Sequence, residues 1–239
     1  MVIATEIAGI VRQEYLDYHG VADLGAPEVQ AVIAAQGGTI ATSYSRAIAI
    51  GAVLSSELVD QLPAKDERVR ALYKYHVYGV TAGRLDRAVT IIAAALERAG
   101  HRALAIPASP VAIDRLQLAG VFSHKLAARL AGLGWIGKSC MLITPEHGPR
   151  AVWAPVLTDA RLAPTGTPYP SRCGNCRACV ESCPARAYTG REFDPAEPRE
   201  SRYDAVACWN YVESLPAAGP ESRTCGLCLQ ACPRGRRRH

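Results

Sequence analysis

Eight of the nine cysteines in this chain lie between positions 173 and 232, and only Cys140 stands apart. Cys173, Cys176, Cys179 and Cys183, followed by Pro184, spell C-x2-C-x2-C-x3-C-P. This is the run with which bacterial ferredoxins hold 4Fe-4S clusters. Three cysteines two residues apart let a tight loop wrap one face of a cubane and turn backbone amides toward its sulfides. The fourth falls on the next helical turn and points elsewhere, so in two-cluster ferredoxins it serves the other cluster. Cys225, Cys228 and Cys232, followed by Pro233, form a second half-motif that is one ligand short, and Cys208 supplies it. The spacing therefore assigns Cys173, Cys176, Cys179 and Cys232 to a first cluster, and Cys183, Cys208, Cys225 and Cys228 to a second. A pair of zinc knuckles is the competing reading, because C-x2-C pairs also bind tetrahedral zinc. Structural zinc sites seldom use the x2, x2, x3 series followed by proline, so iron is favoured.

The chain has 239 residues, 49% of them apolar and 21% charged, enough for one large or two small domains with a packed core. Its start carries no basic segment leading into an apolar one, and no stretch approaches the roughly 20 apolar residues of a spanning helix. The expectation is a soluble cytoplasmic protein without membrane contact, in which nine cysteines mean thiolate, metal or redox chemistry and not disulfides. The formal charge of +5 suggests an anionic partner only weakly, since two four-iron clusters of about −2 each would bring it close to neutral.

The elements that must position these cysteines come before them. Apolar spacing predicts a helix over 3–18 ending at Gly20, and a short one over 27–36 stopped by Gly37 and Gly38. The run 47–53 suits a strand buried on both faces. The longest helical pattern spans 66–98, with Gly79 and Gly83 as interruptions and Gly100 as its end. A strand at 102–107, a helix from Ser123 to about 130, and strands at 139–144 and 151–158 follow. Residues 163–172, with Pro164, Gly166, Pro168 and Pro170, read as a linker. The domains expected are an α+β body over 1–162 and a cysteine-rich domain over 163–239. The basic tail from Arg234 to His239 reads as a solvated terminus.

Between helix and strand lies Gly132-Leu133-Gly134-Trp135-Ile136-Gly137-Lys138. Its glycines would let backbone approach a large planar ligand, with Trp135 offering an apolar face and Lys138 a cation. A tight turn with Trp135 in the core explains the same residues. The glycines follow a helix and precede a strand, the reverse of the dinucleotide-binding order. His124 and Lys125 open the preceding helix, where they could bond a cofactor or cap a solvated end. Cys140 reads as a small buried hydrophobe within the strand at 139–144.

The segment 123–138, with Leu142 to Arg150 and Val156 to Asp159, resembles the epoxyqueuosine reductases and their relatives, which share a cobalamin-binding module with reductive dehalogenases. The likeness runs from about residue 40 to the C-terminus. It implies a nitroreductase-like cobalamin-binding body followed by a bacterial two-cluster ferredoxin-like domain. It also implies base-off cobalamin beside the first cluster, contacted by His124, Lys125, Gly134, Trp135, Gly137 and Lys138, with electrons arriving from a ferredoxin or flavodoxin.

Two departures qualify the resemblance. The family carries a carboxylate proton donor before the long helix, whereas the corresponding stretch here, Tyr75 to Thr81, has no acid. Tyr75, His76 or Tyr78 is then the expected donor, a role either side-chain type can fill within hydrogen-bond reach. Ordinary helix-face residues are the competing account. The sequence also ends seven residues after Cys232, so the helical repeats with which tRNA-modifying members grip tRNA are expected to be missing and tRNA is disfavoured. The leading expectation is a reductase acting on a small organic substrate. The alternative is an electron-transfer protein that reduces the corrinoid of a partner.

Overall fold

The structure, a computed structural model, describes residues 2–35, 39–108, 118–216 and 223–235. Its central element is β2 (Arg46–Val53), whose interior positions are all buried, as the unbroken apolar run predicts. Successive strand side chains point to opposite faces. Ile48, Ile50 and Ala52 therefore enter one core and Ala47 and Ala49 another. The first core lies under α1 (Val2–Gln13) and α5 (Ala82–Arg98), through Ile7, Ile10, Leu85, Val89, Ile92 and Leu96. The second lies under α6 (His124–Leu130), through Leu126, Ala127 and Ala128. Truncating either buried isoleucine to alanine would cost about 2–5 kcal/mol.

The sheet is antiparallel in the order β1 (Tyr18–Asp23), β2, β6 (Ala151–Thr158), β3 (Ala103–Ala105). The mixed helix and strand content matches the α+β class expected. Strand β1 corrects the long N-terminal helix: the chain leaves α1 after Gln13, takes a positive φ of 50° at Tyr15, and returns along β2 with Tyr18 opposite Gly51. The helix α2 (Pro27–Ala35) forms as predicted, and its expected glycine stop lies outside the described residues. Residues 236–239 of the basic tail do so too.

The long pattern over 66–98 is helical throughout, but in three pieces: α4 (Glu67–Lys74), a π-helical turn (Tyr75–Thr81), and α5. Asp66 caps the first, accepting from the amides of Arg68 and Val69. No strand spans 139–144. Instead β4 (Trp135–Ile136) and β5 (Leu142–Ile143) make a small hairpin, closed by Gly137 N–H donating to the Met141 carbonyl at 2.9 Å. Cys140 sits at its tip with φ of 54°, buried but outside any strand.

The segment expected as a linker is tied down at Thr165, whose hydroxyl accepts from Val21 N–H at 2.9 Å and donates to the Ala131 carbonyl at 3.1 Å. Beyond it come α7 (Ala178–Glu181), α8 (Ala205–Ser214) and α9 (Leu227–Ala231). Leu229 of α9 joins a third core with Leu58, Leu62, Tyr73 and Val77, so the cysteine-rich segment packs directly on the body. Among the described residues no helix is long and apolar enough to cross a membrane.

Candidate iron-sulfur centre

The eight cysteines separate into two cavities. Cys173, Cys176, Cys179 and Cys232 line one of about 280 Å³. Cys183, Cys208, Cys225 and Cys228 line another of about 150 Å³. Each holds many times the 10–15 Å³ or so that one water needs. Among the described residues no three His, Cys, Asp or Glu side chains converge on one point as a single metal ion would require. The thiols surround space instead, which is what a cube of iron and sulfide needs and a mononuclear zinc site does not.

Short helices produce this sorting. Cys179 lies inside α7 while Cys183 lies just past its end, so the two face different cavities. In mirror fashion Cys228 lies in α9 and Cys232 caps it. The left-handed Gly226, φ 72°, turns the chain between Cys225 and α9, and a Cβ there would meet Leu62 and Tyr73 at 2.8 and 3.0 Å.

The electrostatics fit a cationic guest. Burial first, then the neighbouring thiols Cys232, Cys173 and Cys176, push Cys179 up to about 11. Burial pushes Cys228 up to about 12, with Cys225, Cys208 and Cys183 adding to it and a hydrogen bond from Tyr188 opposing it. Thiols raised in this way stay protonated on their own, so iron would bind them by displacing those protons.

The surroundings of the two cavities differ. Lys138, Arg172 and Arg234 stand around the first, and Lys138 Nζ donates to the Gly174 carbonyl at 2.5 Å and the Cys176 carbonyl at 3.4 Å. Tyr78, Tyr188, Tyr211 and Val212 stand around the second. Nearby elements expose large apolar side chains to solvent: Leu72, Tyr75 and Val80 on the α4 and π-helical side, Val206 and Trp209 on α8.

The residues expected to contact cobalamin are not gathered around one open face. Trp135 is only 2% exposed and packs in the body, where its indole N–H has no partner among the described residues. A Cβ on Gly134 would meet the Ile143 carbonyl oxygen at 2.2 Å, so this glycine lets the hairpin close. One on Gly137 would lie 3.3 Å from Cys173 Sγ. Gly137 and Lys138 thus border the first thiol cavity. His124 and Lys125 are turned inward. Burial, with the Lys125 charge behind it, lowers His124 to about 4 against the pull of a hydrogen bond to the Trp153 backbone. Burial also lowers Lys125, which lies among Cys140, Arg199 and Arg202. Arg202 Nη1 reaches Cys140 Sγ at 3.7 Å.

The three expected proton donors do not converge either. Tyr75 is 68% exposed, with its ring folded over Gly79. His76 Nε2 accepts from Ser55 N–H at 3.2 Å, and burial together with Arg84 lowers its pKa. Tyr78 exposes part of its ring but directs its hydroxyl inward, where burial and the thiols Cys208 and Cys228 raise its pKa. Sequence reasoning missed Tyr188, whose hydroxyl donates to Cys228 Sγ, and Tyr203, whose hydroxyl lies beside Cys208. Their only signal is a pair of tyrosines within the interval from Cys183 to Cys208, too weak to read alone.

Residues 172–236 match the family model described as a 4Fe-4S dicluster domain. Over 125 residues the chain is 34% identical to epoxyqueuosine reductase from Gloeobacter violaceus, covering 48% of this chain and 36% of that protein. Over 109 residues it is 36% identical to the enzyme of a Synechococcus strain, covering 46% and 33%. The chain is related to the epoxyqueuosine reductases. The matched stretches span about a third of those relatives' length. In fold it is similar to epoxyqueuosine reductase from Bacillus subtilis, with TM-score 0.64 at 17% identity over 98% of this chain and 66% of that one. A catabolic reductive dehalogenase in complex with 3-bromo-4-hydroxybenzoic acid gives TM-score 0.64 at 19% identity over 97% and 31%. The protein thus combines an epoxyqueuosine reductase-like α+β fold with a ferredoxin-like 4Fe-4S dicluster domain.

Proposed function

We propose that this protein is a cytoplasmic iron-sulfur oxidoreductase that passes electrons through two 4Fe-4S clusters to a cobalamin-type cofactor, for reduction of a small organic substrate. A ferredoxin or flavodoxin serves as donor. The observation that carries the reading is the division of eight thiols, four to each cavity, at 173–232. In this reading residues 163–239 form the cluster-bearing domain and residues 1–162 the body that receives its electrons.

Bound clusters would supply one-electron transfer, and the chain's part is to hold them, set their surroundings and keep them close to the body. Cys173, Cys176, Cys179 and Cys232 would hold the first, among the cations Lys138, Arg172 and Arg234. This basic surround suits an acidic electron carrier. Cys183, Cys208, Cys225 and Cys228 would hold the second, against aromatic and aliphatic side chains. A reduced corrinoid would supply the nucleophilic metal centre for the substrate. For the flat face of a corrin ring the second cavity is the better neighbour, because exposed Tyr75, Val80 and Trp209 lie on the elements flanking it. Anaerobic reconstitution with iron, sulfide and cobalamin tests the reading. About eight iron per chain and retained corrinoid absorption support it, while tightly held zinc without iron ends it.

A second reading, an electron carrier that reduces the corrinoid of a partner, is favoured by one observation: His76 is engaged by Ser55 and the Tyr78 hydroxyl faces the thiols, leaving no assembled proton donor among the described residues. Substrate turnover by the isolated, loaded protein would exclude it.

A further inference from the structure

Tyr188 and Tyr203 come from opposite ends of an irregular loop and stack, ring centroids 5.1 Å apart and planes 18° from parallel. The backbone holds them there. The two residues form an antiparallel bridge, Thr189 N–H donates to the Arg202 carbonyl at 3.1 Å, and Asp204 N–H donates to the Ala187 carbonyl at 2.9 Å. From this platform the Tyr188 hydroxyl donates to Cys228 Sγ at 3.2 Å, and the Tyr203 hydroxyl lies beside the Cys208 thiol. Two of the four thiols of the second cavity thus each have a tyrosine hydroxyl beside them. At the first cavity Lys138 bonds the carbonyl oxygens of Gly174 and Cys176 and not sulfur.

We propose that the stacked pair Tyr188 and Tyr203 sets the reduction potential of the second cluster by hydrogen-bonding two of its cysteine sulfurs, holding it higher than the thiolates alone would. The inference rests on the two-cluster reading. Reduction adds one electron to a cluster already carrying about −2, and part of that charge spreads onto the cysteine sulfurs. A hydroxyl donating to sulfur is a stronger partner for the more negative state, so it favours the reduced cluster. Tyr188 is 8% exposed, so little water can replace its hydroxyl once it is removed. Stacking fixes both rings and spares the entropy of ordering each separately. The effect is a second cluster that accepts electrons readily and holds them beside the body.

The test is a redox titration of the reconstituted full chain, followed by the paramagnetic resonance of each reduced cluster, in wild type, Tyr188→Phe, Tyr203→Phe and the double variant. The expected result is two clusters in every protein, one whose potential falls in each single variant and falls further in the double, and one that stays put. Unchanged potentials with both clusters present would overturn the proposal. Tyr203 is only partly buried, so Tyr203→Phe should fold even if Tyr188→Phe does not. Loss of the second cluster in Tyr188→Phe beside a wild-type potential in Tyr203→Phe would assign the pair a packing role and also overturn it. A wild-type protein that assembles fewer than two clusters would fail the two-cluster reading itself, a result separable from the others by iron content.

Discussion

Arg150 Nη2 donates to Asp60 Oδ1 at 2.6 Å, joining the residue that leads into β6 to the last residue of α3 (Ser56–Asp60). The guanidinium is 1% exposed, and its Nε and Nη1 find no partner among the described residues, so Asp60 carries the compensation for a buried charge. Removing one partner of such a pair costs more than removing both. Asp60→Ala should destabilise the fold by about 3 kcal/mol, at the low end because Asp60 is half exposed, and lower Tm by about 6–12 °C. Adding Arg150→Met should recover most of that loss. Thermal unfolding of the single and double variants measures it, and a double variant no better than the single would refute the account.

Interleaved ligands give a sharper test of the cysteine sorting. Cys183 follows the first three cysteines in sequence yet lines the second cavity, and Cys232 does the reverse. Cys183→Ala should therefore spare the cluster of Cys173, Cys176 and Cys179, while Cys232→Ala should spare the other. Each variant should retain about half the iron, with opposite resonance signals lost. If both variants lose the same signal, the sorting is wrong.

Gly226 packs against the body at the second cluster's edge. Ala at φ 72° costs roughly 1–2 kcal/mol in backbone strain, and its Cβ would press on Leu62 and Tyr73. Gly226→Ala should loosen Cys225 and Cys228 and release iron to a chelator faster than wild type, from the second cluster alone. Equal release rates would show that this contact does not govern retention.

His124 makes stability depend on pH. Its folded pKa is lowered to about 4, below the ordinary 6.5 of an unfolded chain, so the unfolded state takes up the proton first as pH falls. Its contribution is fully present above about pH 6.5 and is lost progressively down to about pH 4, amounting to about 3 kcal/mol. His124→Gln should flatten the stability profile across that window relative to wild type. Denaturant unfolding between pH 4 and 7 shows the difference, and parallel profiles would contradict it.

Much of the scaffold was legible in the sequence, because its signals are local. Ser123 caps α6 as expected, with its hydroxyl accepting from Leu126 N–H, and the run 47–53 is the doubly buried strand β2. The misreadings share one cause. Strand β1 carries the short sequence Tyr-His-Gly-Val-Ala-Asp, and its state is fixed by pairing with β2, a contact that no local pattern encodes. The hairpin of β4 and β5 likewise arises where Gly134 lets the Ile143 carbonyl approach.

At the candidate site the division is equally clear. The ferredoxin-type spacing pointed to the eight cysteines and to two groups of four, and the short helices that end before Cys183 and Cys232 turn these two away from Cys179 and Cys228. Which side chains surround each group was decided by tertiary packing. Lys138 reaches the first across 36 residues of chain and Tyr188 reaches Cys228 across 40. A ligand set with short, regular spacing is written in covalent geometry, whereas the polarity around it depends on segments that meet only after the cores have formed.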